Sequence, residues 1–117
     1  MAATTGMLQF ANAGGGLTSV SMYFAGGDAV GSNIRLNKNG IATSTSNVYA
    51  KLDNQVSAVK VIAGPATGTI KLWWGSHPVG FFNLADHQAG NTANNYIPLN
   101  LPAGAEISVE VIATCAA

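Results

Sequence analysis

The sequence has few charged residues for its length. Asp, Glu, Lys and Arg make up 9% of its 117 residues, whereas they make up about 25% of an average soluble domain. Five basic and five acidic residues cancel to a net charge of zero, and Arg35 is the only arginine. Proteins that bind nucleic acids need a basic surface to displace counterions from the phosphates. The composition therefore excludes nucleic acid as a partner.

Long apolar runs are also missing. No run approaches the roughly 18 residues that a membrane-spanning helix needs. Residues 1–6 have neither the basic stretch nor the apolar segment that is typical of a secretory signal. We therefore expect no membrane-spanning helix, no membrane partner and no secretory signal.

Cysteine occurs once, as Cys115. A single cysteine excludes an intramolecular disulfide. A nucleophilic thiol needs a partner base, and the neighbouring Ala116 and Ala117 supply none. We expect Cys115 to be a small apolar residue of the last strand, and an intermolecular disulfide is the alternative.

Residues that could catalyse a reaction or hold a metal are few and dispersed. Glu106 and Glu110 share one face of a predicted strand, but strand geometry places them about 13 Å apart, farther than a glycosidase pair. His77 and His87 fall in separate loops, and a metal site normally needs three or four ligands. We therefore expect no enzymatic activity, no cofactor and no metal.

The sequence does contain the pattern of short β-strands. In residues 17–24, Val20, Met22 and Phe24 share one face, and similar runs recur along the chain between Gly, Pro and Asn clusters. No segment shows a helical period, which argues against a parallel βαβ architecture. The pattern predicts an all-β, antiparallel β-sandwich of about eight or nine short strands, jelly-roll or Ig-like. Asn39-Gly40 predicts a tight hairpin turn over residues 37–40.

The first residues look different from the rest. Most of residues 1–16 are small, and the segment ends in three consecutive glycines. It predicts an extended N-terminal arm with a short strand around residues 7–11, ahead of a single sandwich domain of residues 17–117. Met7, Leu8 and Phe10 are its large apolar side chains. Because such an arm cannot bury them alone, we expect them to bind a partner. The alternatives are that the arm covers the edge of its own sandwich or is a disordered terminus.

Trp73 and Trp74 form the most distinctive local feature, in the segment Lys71-Leu72-Trp73-Trp74-Gly75. Adjacent residues of a strand point to opposite faces. The phase of Leu72 places Trp74 in the core and Trp73 outside with Lys71. An outward tryptophan anchors a protein interface or stacks on a sugar, or it packs under the loop of residues 85–95. Three asparagines of that loop could bind sugar hydroxyls, namely Asn91, Asn94 and Asn95.

The neutral composition, rich in Asn, Ser, Thr and Gly, indicates a protein that is a subunit of a larger assembly. Net charges on closely packed copies would repel within a Debye length of about 10 Å, and an uncharged surface avoids that repulsion. Together with the predicted arm and the run LNLPAGAEISV at residues 99–109, this composition resembles the small decoration (cement) and minor structural proteins of tailed bacteriophages.

That resemblance implies a non-enzymatic β-sandwich that binds the outer shell of a capsid, often as a trimer, and reinforces it. The expected partner is the major capsid protein or another virion protein. The expected location is the capsid surface, after synthesis in the host cytoplasm. Met7, Leu8 and Phe10 of the arm, and Lys71 and Trp73 of the outer aromatic strand, are the predicted contact residues. The alternative function is a carbohydrate-binding β-sandwich module that uses Trp73.

Overall fold

The computed structural model describes residues 3–38, 40–87 and 96–116. These residues form nine strands and one turn of helix. The elements in chain order are β1 (Thr4–Asn12), β2 (Leu17–Phe24), β3 (Arg35–Asn37), β4 (Ala50–Lys51), β5 (Val56–Ala63), β6 (Thr67–Trp74), β7 (His77–Asn83), α1 (Leu84–His87), β8 (Ile97–Leu101) and β9 (Glu106–Ala116).

The strands are arranged in two antiparallel sheets. One sheet has the strand order β3-β2-β1-β5-β8, and the other has the order β4-β9-β6-β7. Phe10, Phe24 and Phe82, each 0% exposed, are the largest side chains of the core. The strands bury alternate residues because side chains point to opposite faces with a period of two. The predicted all-β antiparallel sandwich is confirmed.

The expected N-terminal arm is not confirmed. Thr4–Asn12 is β1, which lies in the middle of the five-stranded sheet between β2 and β5. The three glycines do not separate an arm from the domain, because they form the turn of the β1–β2 hairpin. Gly15 and Gly16 have φ angles of 105° and 84°, which glycine adopts without steric cost. The amide of Asn12 donates to the carbonyl of Gly16 at 3.0 Å and closes the turn.

The hairpin expected over residues 37–40 is wrong, although Asn39 itself lies outside the described residues. β3 ends at Asn37, and the next strand, β4, belongs to the other sheet. The chain crosses between the sheets at this edge. The amide of Ile34 donates to Val109 of β9 at 2.8 Å, and two residues later Leu36 is paired with Met22 of β2.

The end of the chain matches the sequence pattern. β8 contains Pro98 and lies at an edge of its sheet, where a residue without an amide donor is tolerated. Cys115 lies in β9 and is 6% exposed, so its predicted place in the last strand is confirmed. Gly68 on β6 gives Cys115 its room, since a Cβ on Gly68 would lie 2.6 Å from the Cα of Cys115.

Candidate interaction surface

Trp73 lies on the outward face of β6, as the sequence alternation predicts. Ile70 and Leu72 are each 1% exposed and belong to the core, whereas Lys71 and Trp73 are half-buried on the other face. Trp74 packs against the core, and its ring centroid lies 6.0 Å from that of His77. The two adjacent tryptophans therefore face opposite sides of the sheet.

Trp73 is fixed in place by two charged neighbours. Its indole Nε1 donates a hydrogen bond of 2.9 Å to Oε1 of Glu110 on β9. The Lys71 ammonium nitrogen lies 4.3 Å from the Trp73 ring centroid and 5.0 Å from that of Phe81 on β7. Both distances are within the range of a cation–π interaction. We call Lys71, Trp73, Phe81 and Glu110 the aromatic face.

The pairing of three strands builds this cluster. β6 lies between β9 and β7, and Lys71 is paired with Glu110 on one side and Phe81 on the other. Directly opposite residues have Cβ atoms about 5 Å apart. Trp73 is two residues farther along β6 on the same face, and its long side chain reaches Glu110 diagonally. Side chains from three strands are thereby brought together.

The aromatic face combines an exposed ring with a neutral charge balance. Phe81 is 56% exposed, and the charges of Lys71 and Glu110 offset each other. The Glu110 carboxylate is already bound to Trp73. A tryptophan that is held in one orientation loses little side-chain freedom when a partner covers it. Such a surface is suited to contact with another protein.

The structure separates the other predicted contact residues from this face. Leu8 and Phe10 are 0% exposed and lie opposite Val61 and Val59 of β5. As a correction to the arm hypothesis, neither side chain can reach a partner without opening the five-stranded sheet. Met7 points the other way, is half-buried, and lines a small cavity of about 200 Å³ on the outside of that sheet.

Several other residues singled out in the sequence take no part in a described cluster. Asn91, Asn94 and Asn95 lie outside the described residues. Among the residues that are described, no group of three or more His, Cys, Asp or Glu side chains is placed to hold a metal ion. The same part of the chain contains no helix of the length and apolarity needed to cross a membrane.

Burial raises the pKa of the Cys115 thiol above its ordinary value of 9.0, and the negative charge of Asp28 raises it further. The Sγ atom lies 3.6 Å from the carbonyl oxygen of Ala113, to which it donates. A thiol that is buried and protonated is a poor nucleophile. This side chain therefore acts as an apolar residue of β9.

Sequence reasoning missed Phe81 and Glu110 as members of the surface. The sequence contains a pattern that could have identified Phe81. Phe81 precedes Phe82, and only one of two adjacent strand residues can enter the core, so the other faces outward. No pattern in the sequence places Glu110 beside Trp73, since that position depends on the register between β6 and β9. That register includes irregularities between Thr67 and Ile70.

The fold and this surface define an all-β antiparallel sandwich with an aromatic cluster on the outside of one sheet. No family model matches the sequence. Neither the curated proteins nor the solved structures contain a match.

Proposed function

We propose that this protein is a non-enzymatic structural protein of a viral particle that binds the outer shell as a decoration (cement) protein. The observation that carries the proposal is the aromatic face, in which Trp73 is held by Glu110 and Lys71 beside a Phe81 that is 56% exposed. Aromatic side chains with restricted rotamers are the usual anchors of protein interfaces.

The charge-poor surface supports the same proposal. With a net charge of zero, neighbouring copies on a shell would not repel one another. Each contact that covers apolar surface stabilises the assembly by about 25 cal/mol per Å². Many repeated copies then add avidity to individually modest contacts. Stabilisation through burial of uncharged surface needs no catalytic group.

The proposal is tested by locating the native protein. Viral particles would be purified on a density gradient from the culture in which this protein is naturally made. The proteins of each fraction would then be quantified by mass spectrometry. We expect this chain in the fraction of intact capsids, in a fixed ratio to the major shell protein that implies many copies per particle. Its recovery only in low-mass fractions, with none on the capsids, would contradict the proposal.

A second candidate function is carbohydrate binding by Trp73. The half-exposed indole beside exposed Phe81 supports it. Two contacts speak against it, because Lys71 covers one face of the ring and Glu110 already accepts from Nε1. Only the other face of Trp73 could stack on a sugar. A glycan-array signal that disappears in Trp73→Ala and persists in Phe81→Leu would favour this candidate over assembly.

A further inference from the structure

A second feature lies at the opposite edge of the sandwich, where the amide of Ile34, just before β3, donates to Val109 of β9. An open cavity of about 550 Å³ is lined by Arg35, Asn47, Val48, Tyr49, Lys51 and Glu106. Its volume is within the range of about 300–1,000 Å³ that is common for small-molecule sites. None of these residues belongs to the aromatic face, so this cavity is independent of the proposed function.

The backbone brings these residues together from three parts of the chain. Lys51 is paired with Glu106 across β4 and β9. The amide of Leu36 donates to the carbonyl of Asn47 at 2.6 Å, which holds the segment before β4 against β3. Arg35 precedes Leu36 on β3 and faces outward. The position of the cavity is thus determined by main-chain hydrogen bonds.

In the part of the chain that the structure describes, the charged side chains of this cavity lack the hydrogen bonds, ion pairs and cation–π contacts that the other charged side chains make. Lys38 binds Asp53 at 2.7 Å, and Lys60 and Lys71 lie over aromatic rings. Asp28 accepts from the amide of Ala25 and Glu110 accepts from Trp73.

Arg35, Lys51 and Glu106 make no side-chain hydrogen bond or ion pair with any described residue, and all three line this one cavity. The side chains of Tyr49 and Asn47 are equally unengaged within the described ranges, and Tyr49 is 56% exposed. The hydrogen-bonding capacity of five neighbouring side chains is therefore available to a ligand.

We propose that this cavity binds an acidic saccharide, a sugar that carries one carboxylate. Arg35 presents a planar guanidinium that suits a carboxylate in a bidentate arrangement, and Lys51 adds a second positive charge. Glu106 and Asn47 supply acceptors and donors for hydroxyl groups. The Tyr49 ring offers an apolar surface with a polar tip for a sugar face. The net charge of these side chains, two positive and one negative, matches a ligand with a single negative charge.

The site has room for more than one sugar unit. A neighbouring cavity of about 370 Å³ shares Arg35 and Val48 with the first. It is also lined by Tyr23, Asn33, Ser44 and Asp28, whose carboxylate already accepts from the amide of Ala25. Tyr23 is directly paired with Arg35 across β2 and β3. An oligosaccharide can therefore continue from the Tyr49 side to the Tyr23 side, with Arg35 between them.

The test is an NMR titration of the full chain with three probes. These are a disaccharide of glucuronic acid and N-acetylglucosamine, the same disaccharide with its carboxyl group reduced to an alcohol, and uridine monophosphate. We expect the acidic disaccharide to shift the amide signals of residues 35, 47–51 and 106, and to leave those of residues 71–73 unchanged. We expect the reduced disaccharide to bind at least about tenfold more weakly, as loss of a charge-assisted hydrogen bond implies.

Two variants with the same charge change provide the control. Arg35→Gln should weaken binding of the acidic disaccharide at least about tenfold, whereas Lys60→Gln, which removes a positive charge outside the cavity, should leave it unchanged. Far-UV circular dichroism establishes that both variants are folded.

Four results would overturn the proposal. They are no shift with the acidic disaccharide at millimolar concentration, equal binding of the reduced disaccharide, equal effects of the two variants, and tighter binding of uridine monophosphate, which would assign the cavity to a phosphate ligand instead.

Discussion

The indole nitrogen of Trp73 and the carboxylate of Glu110 form a hydrogen bond of 2.9 Å across the outer face of the four-stranded sheet. The bond links β6 to β9, the two strands that share the longest pairing in that sheet. It also fixes the orientation of the largest side chain on the outside of the sheet. The position of one acidic residue thus determines how the aromatic face is presented.

Replacing Glu110 should destabilise the protein by a measurable amount. Because a hydrogen bond to a charged group contributes about 1.5–3 kcal/mol when buried and less when half-exposed, we expect Glu110→Ala to lower the free energy of unfolding by about 1 kcal/mol. Glu110→Gln keeps an acceptor and should cost less. Urea denaturation at neutral pH measures both.

Glu106 provides the matched control for this prediction. It lies on the same strand and is an exposed carboxylate without a side-chain partner in the described residues. Glu106→Ala should change the free energy of unfolding by less than about 0.5 kcal/mol, as is usual for surface substitutions. Equal costs for Glu106→Ala and Glu110→Ala would show that the bond to Trp73 contributes nothing.

Substitutions of Phe10 and Met7 test whether residues 4–12 form a central strand or an arm. Phe10 is 0% exposed, and Met7 is half-buried on the other face of β1. Phe10→Ala should lower the free energy of unfolding by about 3–5 kcal/mol, the usual cost of removing a core phenylalanine. Met7→Ala should cost markedly less, because part of its side chain is already in water. Thermal or urea unfolding gives both values, and two small, equal changes would restore the arm hypothesis.

Gly68 should not tolerate a side chain. Its φ angle is 120°, and a Cβ would lie 2.6 Å from Cα and 2.7 Å from Sγ of Cys115. Backbone strain and overpacking each cost about 1–3 kcal/mol, so Gly68→Ala should lower the melting temperature strongly.

Gly75→Ala separates these two effects. Gly75 has a φ angle of 58°, and a Cβ added there would meet no atom within 4 Å apart from those of its chain neighbours. Alanine at this position therefore incurs only the backbone penalty of about 1–2 kcal/mol. A Gly68→Ala melting temperature no lower than that of Gly75→Ala would contradict the close contact with Cys115.

The Cys115 thiol should make stability depend on pH above 9. Its pKa is raised in the folded state by burial and by Asp28, so the folded protein holds the thiol proton more tightly than the unfolded chain. The stabilisation is fully present below pH 9 and is lost as the pH rises through the folded-state pKa. The difference in unfolding free energy between the natural protein and Cys115→Ala should therefore shrink from pH 8 to alkaline pH. A constant difference would refute the pKa shift.

The strands could be predicted wherever one face is buried. Residues 17–24 show the alternation of a strand with one buried face, and they form a strand with those bounds. Such local patterns carry the packing information within a single segment. The class of fold followed from their number and from the turn residues between them.

The wrong predictions concern segments whose structure depends on which strands of the same chain they pair with. Residues 4–12 look like a flexible arm because glycines follow them, yet neighbours on both sides make β1 the middle of a sheet. Residues 37–40 have a hairpin sequence, but β3 and β4 pair with different sheets. The cavity lined by Arg35 could not be predicted from the sequence, because it depends on strand pairing that brings together residues up to 71 positions apart, from Arg35 to Glu106.

Binding to the particle tests the central proposal most directly, with Phe81 and Leu17 as a matched pair. Each side chain is 56% exposed, but Phe81 belongs to the aromatic face and Leu17 begins β2 in the other sheet. The measurement is co-sedimentation of the purified protein with capsid shells from the same source that lack it. We expect the natural protein and Leu17→Ala to bind equally, and Phe81→Ala to bind at least about tenfold more weakly, as loss of an interface anchor implies. Equal binding by all three proteins, or no binding by any of them, would contradict the account.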